Sequence, residues 1–475
     1  MKKTMIDHSY IKYLIKSNRS LILLLFIIAI IAVAFTSISL QVATDQIYLN
    51  FFIYAKYMSA ILGMLYSLLI PIYLMRYLYQ KNSADLYFSL PIKRKALWHS
   101  QMIVSYLLAI VMISIPLLIT IVAFVVLGFK VDLIEAICFI VMLWIFMFIY
   151  QSIIYWICSR VNNLFDCIVA SLAYTFLPLS MLVSTLIFLQ TRIDVCMLGY
   201  GYELSELAFF DEIVQMSSLF IPLFSFTQDA IQYMDTNVLP WIVWLVIGCI
   251  ANINARNKFI NRKGEDSGQI SNDRAIYPMI LMMFAYCVLI NIQVLSFSIF
   301  TLISIVCAFT LLMVLSFVAK RKIKFDWRYF SSFILILGLS SIFALAFDHT
   351  KGFYSLKEVP QQSYSYVSIV YYDYYEEGFE EVRYHFDSSN NQESIKHAKK
   401  IHEKIIDYIK DDDLKTNMAS NQIFIDYYDE NKRIERSRTY ECSDELLVIL
   451  KQEINEYILN HDIKGYSEAK YSETY

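Results

Sequence analysis

The sequence predicts an α-helical polytopic membrane protein of about nine transmembrane helices, N-terminus inside, with a C-terminal extracytoplasmic α+β domain. Three observations predict it: nine long apolar stretches, basic residues gathered at alternate ends of those stretches, and an acidic polar tail. A bilayer core about 30 Å thick takes roughly 20 apolar residues as one helix, because every backbone N–H and C=O must be bonded internally where water is absent.

The stretches run from Leu21 to Leu40, Tyr57 to Met75, Met102 to Leu127, Leu133 to Ile157, Cys167 to Leu189, Val238 to Ile253, Ile276 to Ile292, Leu295 to Ala319 and Tyr329 to Phe347. The sixth and seventh are the shortest. Lys2, Lys3, Lys12, Lys16 and Arg19 precede the first. Arg76, Lys81, Lys93, Arg94 and Lys95 follow the second, Arg160 the fourth, and Arg256, Lys258, Arg262, Lys263 and Arg274 the sixth. Lys320, Arg321, Lys322, Lys324 and Arg328 follow the eighth, whereas the alternate loops hold only Lys56, Lys130 and Arg192. Translocating Lys and Arg in short loops is disfavoured, so the N-terminus is predicted in the cytoplasm and, with an odd count of spans, the C-terminus outside. No A-x-A-like cleavage site follows the first apolar run, so it reads as a retained span rather than a signal peptide.

The net charge of −3 hides two unlike parts. From Asp348 onward there are 16 Lys plus Arg against 26 Asp plus Glu, a net of −10; before it there are 24 against 17, a net of +7. The basic residues follow the topology, so no nucleic-acid partner is implied. The chain divides into a cytoplasmic leader (1–20), a six-span core (21–260) with an inner elbow (83–98) and an outer re-entrant segment (207–227), three additional spans (261–347) and the tail (348–475).

In the leader, Met5 to Ser17 sets Met5, Ile6, Tyr10, Tyr13 and Leu14 against Asp7, Lys12 and Lys16, a short amphipathic helix on the inner membrane surface or else an unstructured basic leader. In the elbow, Ser83 is a helix cap, Asp85 falls in the first turn, Leu86, Tyr87 and Leu90 share a face, and Pro91 ends the turn. A cytoplasmic loop displaying Leu86, Tyr87, Phe88 and Leu90 lies on lipid or enters another protein. Outside, Ser218 to Phe226 is too short to cross and is broken by Pro222.

The tail alternates elements. Tyr364 to Tyr375 puts Val367, Ile369 and Tyr371 on one face and pairs back with Glu381 to Phe386. A helix from Asn391, capped by Asn390, carries Ile395, Ala398, His402, Ile405 and Ile409. Gln422 to Tyr428 and Lys432 to Tyr440 form a second hairpin, and Ser443 caps a helix with Leu446, Leu447, Leu450, Ile454 and Ile458. Hairpin, helix, hairpin, helix suggests a small α+β unit.

Chemistry is sparse. No phosphate-binding G-x-x-x-x-G-K-S/T loop occurs, and the span interiors lack ionisable residues near mid-membrane, with Glu135 and Asp166 close to predicted ends. Carriers coupled to ions need such groups or Gly-rich broken helices, and the chain has 11 Gly in 475 residues. Catalytic residues, metal ligands and cofactor-binding residues are therefore predicted to be none. Pro71, Pro116 and Pro178 read as packing kinks, with gate hinges as the alternative. His397 and His402 are five apart on one helix and do not chelate; with His385 they read as solvated or core residues. Tyr364, Tyr366, Tyr372 and Tyr374 form one strand face, either packed or a possible ligand face. Six cysteines sit in or beside spans; Cys196 and Cys442 fall outside, leaving one disulfide open.

The elbow carries a resemblance. Ser89-Leu90-Pro91-Ile92-Lys93-Arg94, after Asp85-Leu86-Tyr87 and before Leu97-Trp98, resembles the inner loop of bacterial ABC-2-type transporter permeases, which reads Ser-Leu-Pro, then Ile or Val, any residue, and Arg. Phe259-Ile260-Asn261-Arg262-Lys263-Gly264-Glu265-Asp266-Ser267-Gly268 is similar to a second stretch of that family, with Phe, Arg, Glu and a final small residue plus Gly at matching places. The last three spans and the tail resemble a longer subgroup. The resemblance implies a non-catalytic permease subunit, an exporter in the bacterial cell membrane, paired with a second permease subunit as homodimer or heterodimer and driven by a separate ABC ATPase that holds ATP and magnesium. Asp85, Leu86, Tyr87, Phe88, Leu90, Pro91, Lys93 and Arg94 would form its coupling helix. The alternative is a membrane sensor or resistance-complex subunit whose outer domain binds a peptide or lipid-linked ligand.

Overall fold

The computed structural model describes residues 7–35, 37, 52–128, 131–192, 210–228, 238–269, 271, 273–293, 299–321, 327–349, 359, 365–375, 378–387, 392–411, 421–428, 434–442, 448–449, 451–452, 455–457, 459 and 466–474. The chain is a mostly helical, multi-pass membrane protein. Among the described residues seven helices are long and apolar enough to cross a bilayer, and a bent pair at the start makes an eighth if it is one span. By contacts the chain forms two units: Met1–Leu182, Glu212–Ala285 and Cys307–Phe333 make the first, Val183–Asp211, Tyr286–Val306 and Ile334–Tyr475 the second.

In the first unit, α1 (His8–Ser17) begins at Asp7, whose carboxylate accepts the N–H groups of Ser9 and Tyr10 at 2.9 and 3.0 Å, satisfying donors the helix leaves open. Of the expected apolar face, Tyr10 and Leu14 are buried, whereas Tyr13 is 53 % exposed. Met5 and Ile6 lie outside the described residues. The chain then turns by 66° into α2 (Arg19–Ala29), which continues as a π-helical segment over Ile30–Phe35. α3 (Phe52–Met75) tightens into a 3₁₀ turn at Arg76–Tyr79, and the elbow helix α4 (Lys81–Ser89) follows.

The expected cap at Ser83 is corrected here. α4 starts at Lys81 because the 3₁₀ turn delivers the chain directly to Gln80, whose carbonyl accepts the Ala84 N–H at 2.9 Å. Asp85 is consequently outside the first turn. Leu90 is extended (φ −58°, ψ 145°), the conformation a following proline requires, so the helix does stop before Pro91.

α5 (Arg94–Val126), α6 (Leu133–Arg160) and α7 (Leu164–Arg192) follow, then the short pair α8 (Phe210–Ser217) and α9 (Phe220–Gln228), then α10 (Val238–Asn261). α6 is the hub, packed against α3, α5 and α10. Buried polar side chains stitch the bundle: Ser105 donates to Gln151 at 3.0 Å, Trp144 to Ser114 at 2.8 Å, and Tyr66 to the Leu25 carbonyl at 2.5 Å. α10 approaches α6 closely at Gly248, where a Cβ would sit 3.1 Å from the Ile149 Cα; small residues allow such helix contacts in membranes. α11 (Tyr277–Ile292), at 16 residues, is shorter than a full span; α12 (Ile299–Lys320) and α13 (Trp327–His349) are long enough. Charged side chains stay near helix ends: Lys56 and Glu135 pair between α3 and α6, and Asp166 accepts the Tyr277 hydroxyl at 2.6 Å.

In the second unit β1 (Tyr366–Tyr375), β2 (Gly378–Asp387), β3 (Asn421–Tyr428), β4 (Ile434–Cys442) and β5 (Tyr466–Thr474) form one antiparallel sheet in the order β4-β3-β1-β2-β5. The two expected hairpins exist, but β1 also pairs with β3, so they merge rather than repeat side by side. β5 is a strand the hydropathy pattern misses: Tyr466 to Thr474 is mostly polar, and it pairs with β2 at one end of the strand order. Val367, Ile369 and Tyr371 are buried on one face, as predicted. α14 (Gln392–Asp411) buries Ile395, Ala398, Ile401, His402 and Ile405. Asn390 and Ser443 lie outside the described residues, and residues 448–449, 451–452, 455–457 and 459 are helical. Phe188 and Leu189 of α7, Ile290 of α11 and Ala344 of α13 belong to the same apolar cluster as the sheet.

Candidate functional site

The elbow and the stretch after α10, about 170 residues apart, meet at one end of the bundle. Arg94, at the start of α5, donates to the carbonyls of Ile260 and Arg262 at 2.9 and 2.7 Å, and its guanidinium lies 4.2 Å from the centre of the Phe88 ring. Phe88 in turn meets Phe259 edge-on at 6.1 Å, and Phe259 packs on the buried Trp98 at 5.3 Å. The elbow is thus clamped by residues of α10 and the chain just after it. Gly264 lies so close to Asp85 that a Cβ there would overlap the carboxylate. Gly268, at φ +80°, donates to the Asn162 carbonyl at 2.7 Å, a left-handed turn that favours glycine.

Arg262 sits at the centre, 5 % exposed. Its guanidinium donates to Val161 O at 2.8 Å and Leu78 O at 3.1 Å, with longer contacts to Cys158 O and Ser159 O at 3.4 and 3.5 Å. One planar fork therefore ties the end of α3 to the end of α6, whose last carbonyls lack helical partners. Burial lowers the Arg262 pKa, opposed chiefly by the surrounding tyrosines and Asp266. Within reach of the same carbonyls, Cys158 and Cys167 approach with sulfurs 3.4 Å apart.

On the other side of the elbow a tyrosine network joins α1, α4 and α5. Tyr77 stacks on Tyr87 at 4.1 Å, and Gln101 donates to the hydroxyls of Tyr10 and Tyr77 at 2.9 and 3.1 Å. Burial, then the neighbouring Tyr13, push the Tyr87 hydroxyl up to about 12.

These contacts sort the predicted elbow residues. Tyr87 and Phe88 turn inward and hold the elbow, so the expected common face of Leu86, Tyr87 and Leu90 is corrected: adjacent helix positions are about 100° apart, and Tyr87 is claimed by Tyr77. Leu86, 64 % exposed, faces out with Asn82, Asp85 and Ser89. Leu90 is half-buried, Pro91 and Lys93 are exposed, and Arg94 is the clamp. Arg262 was legible only as one more basic residue on the inner side; its place in the stretch Phe259 to Gly268 was the signal that set it apart.

A polar cleft of about 650 Å³ adjoins the clamp, lined by Arg160, Lys258, Arg262, Arg274, Asp266 and Asp273 among others. Burial alone would raise the Asp273 pKa, but the Ala275 N–H and Arg160 outweigh it and hold the carboxyl below its ordinary value.

The possible tyrosine ligand face is not assembled as one. Tyr364 lies outside the described residues, as do the side chains of Tyr372 and Tyr374. Tyr366 is half-buried, hydrogen-bonded to His385 and edge-on to Tyr428 at 5.0 Å. His397 bonds the Tyr457 hydroxyl at 2.9 Å and His402 that of Tyr427 at 2.6 Å, so His385, His397 and His402 are each held by a tyrosine. Among the described residues no group of three or more His, Cys, Asp or Glu could hold a metal. Cys196, and the side chain of Cys442, lie outside what is described. No family model, curated protein or solved structure matches the chain.

Proposed function

We propose that the chain is the permease subunit of an ATP-binding cassette exporter, one of two membrane subunits driven by a separate ATPase. In this reading α4 is the coupling helix and enters a cleft of the ATPase. The long helices, the bent α1–α2 pair and the short α11 together make nine spans, with the N-terminus in the cytoplasm and the acidic tail outside, the arrangement that the Lys and Arg distribution favours.

The observation that carries the reading is the two-sidedness of α4. Its inner face is fastened by Arg94, Phe88 and Tyr87, while Leu86 stands exposed in a helix with no span of its own. A rigid helix held at both ends and presenting one apolar side chain is suited to take up a push and pass it to α3 and α5, which it joins. The absence of a phosphate-binding loop from the sequence leaves nucleotide hydrolysis to the partner.

The test is co-purification with a separate ABC ATPase co-expressed with this chain, in two variants. Leu86→Asp is expected to abolish association while leaving the thermal unfolding midpoint unchanged, because the side chain touches little in the free subunit. Tyr87→Asp is expected to lose both, because it breaks the stack on Tyr77. Full association of the Leu86→Asp protein would refute the docking role of α4.

A further inference from the structure

The cleft beside the clamp carries surplus positive charge. Four cations, Arg160, Lys258, Arg262 and Arg274, face two carboxylates, Asp266 and Asp273. Arg160 and Lys258 converge on one oxygen of Asp273, at 2.8 and 3.3 Å, so two cations share one anion. Arg262 is bonded to carbonyl oxygens, and Arg274 is exposed with no ion pair among the described residues. The Arg262 guanidinium is the one held out of water, bonded among the described residues only to carbonyl oxygens, and a bound anion would offset part of that cost.

The walls are built before any ligand arrives. Ser271 donates to the Arg160 carbonyl at 3.1 Å, the Arg160 guanidinium lies over the Trp156 ring at 4.7 Å, and Gly268 is tied to Asn162. The volume of about 650 Å³ falls within the roughly 300–1,000 Å³ of small-molecule sites. A phosphate group offers several charged oxygens to cations arriving from different directions, and arginine forks match its geometry.

We propose that this cleft binds a phosphate group, carried either by an anionic phospholipid at the ends of α6 and α10 or by a free phosphate compound. Basic pockets between membrane helices suit lipid headgroups, and each Lys or Arg near an anionic surface contributes roughly fivefold in affinity. The site is independent of ATPase docking, since none of its residues belongs to the exposed face of α4.

The experiment uses the full-length protein in detergent. Native mass spectrometry measures retention of phosphatidylglycerol against phosphatidylcholine, and thermal unfolding is followed with inorganic pyrophosphate. Preferential retention of phosphatidylglycerol without a pyrophosphate effect assigns the lipid source; stabilisation by pyrophosphate alone assigns the free compound; both together support the shared phosphate chemistry. The Lys258→Gln/Arg274→Gln double variant, altered only at solvent-exposed cations, is expected to weaken binding by roughly twenty- to thirtyfold. Asp273→Asn keeps an oxygen for the Ala275 N–H but removes the competing charge, and is expected to tighten it. Response to neither probe, or equal binding by parent and double variant, would overturn the proposal.

Discussion

Replacing Arg262 by Met should unfasten the end of the bundle that holds the elbow. The Arg262 guanidinium makes two good hydrogen bonds, to Val161 O at 2.8 Å and Leu78 O at 3.1 Å, and is 5 % exposed. Methionine fills much of the volume and offers no donor, so two buried carbonyls lose their partner at about 1–3 kcal/mol each, or about 2–6 kcal/mol together. The desolvation of the guanidinium is relieved at the same time, which brings the expected loss toward the lower end, about 2 kcal/mol. The assay is thermal unfolding in detergent followed with a dye that fluoresces on reacting with thiols. Cys158 and Cys167 are fully buried next to the site, and with the exposed Cys249 and Cys307 replaced by Ser the signal follows the opening of buried thiols. At roughly 2–4 °C per kcal/mol for a chain of a few hundred residues, the midpoint should fall by about 5 °C. Arg262→Lys keeps the charge but not the fork, and should recover only part of the loss. A Met variant with the parent midpoint, or a Lys variant no better than Met, would refute the clamp.

Three further outcomes are expected. Gly248→Ala should be tolerated with a small shift, whereas Gly248→Val should lose about 1–3 kcal/mol by forcing α10 from the Ile149 backbone, read in the same thiol assay. Glu135→Gln takes the carboxylate from Lys56, which is fully buried, and should lose about 3 kcal/mol, while the double change Lys56→Met/Glu135→Leu should be nearly neutral; equal losses would mean that charge pairing is irrelevant there. Burial lowers the His402 pKa to about 3, so below the ordinary value near 6.5 the unfolded chain takes up a proton that the folded one refuses. Stability from this residue is present above pH 6.5 and is lost as pH falls toward 3, about 2 kcal/mol by pH 5. Limited proteolysis of the full chain should reveal faster cleavage of the tail at pH 5, and His402→Gln should flatten that dependence.

Much of the architecture was legible because membrane helices are long and their apolar composition is unambiguous. Their ends were less so. α5 begins at Arg94, eight positions before the predicted Met102, because Ala96, Leu97 and Trp98 are buried against protein beyond the apolar run. The π-helical segment at Ile30–Phe35 has no compositional mark. In the tail the alternation of Val367, Ile369 and Tyr371 marked the central strand, while polar β5 left none. For the elbow, the residues were legible and their directions were not. Leu86, Tyr87 and Phe88 are all apolar neighbours, and only the positions of Tyr77 and Phe259, remote in sequence, decide which of them turns in.

α5 runs unbroken for 33 residues from the elbow to Val126, about 50 Å at 1.5 Å per residue. Pro116 interrupts its hydrogen-bond ladder two thirds of the way along, leaving arms of about 33 Å and about 15 Å on either side. A joint there lets the two arms tilt separately, so a sideways stroke at Arg94 reaches the far tip only to the extent that the gap is stiff. Stiffening position 116 would pass more of that stroke along the helix without touching either end.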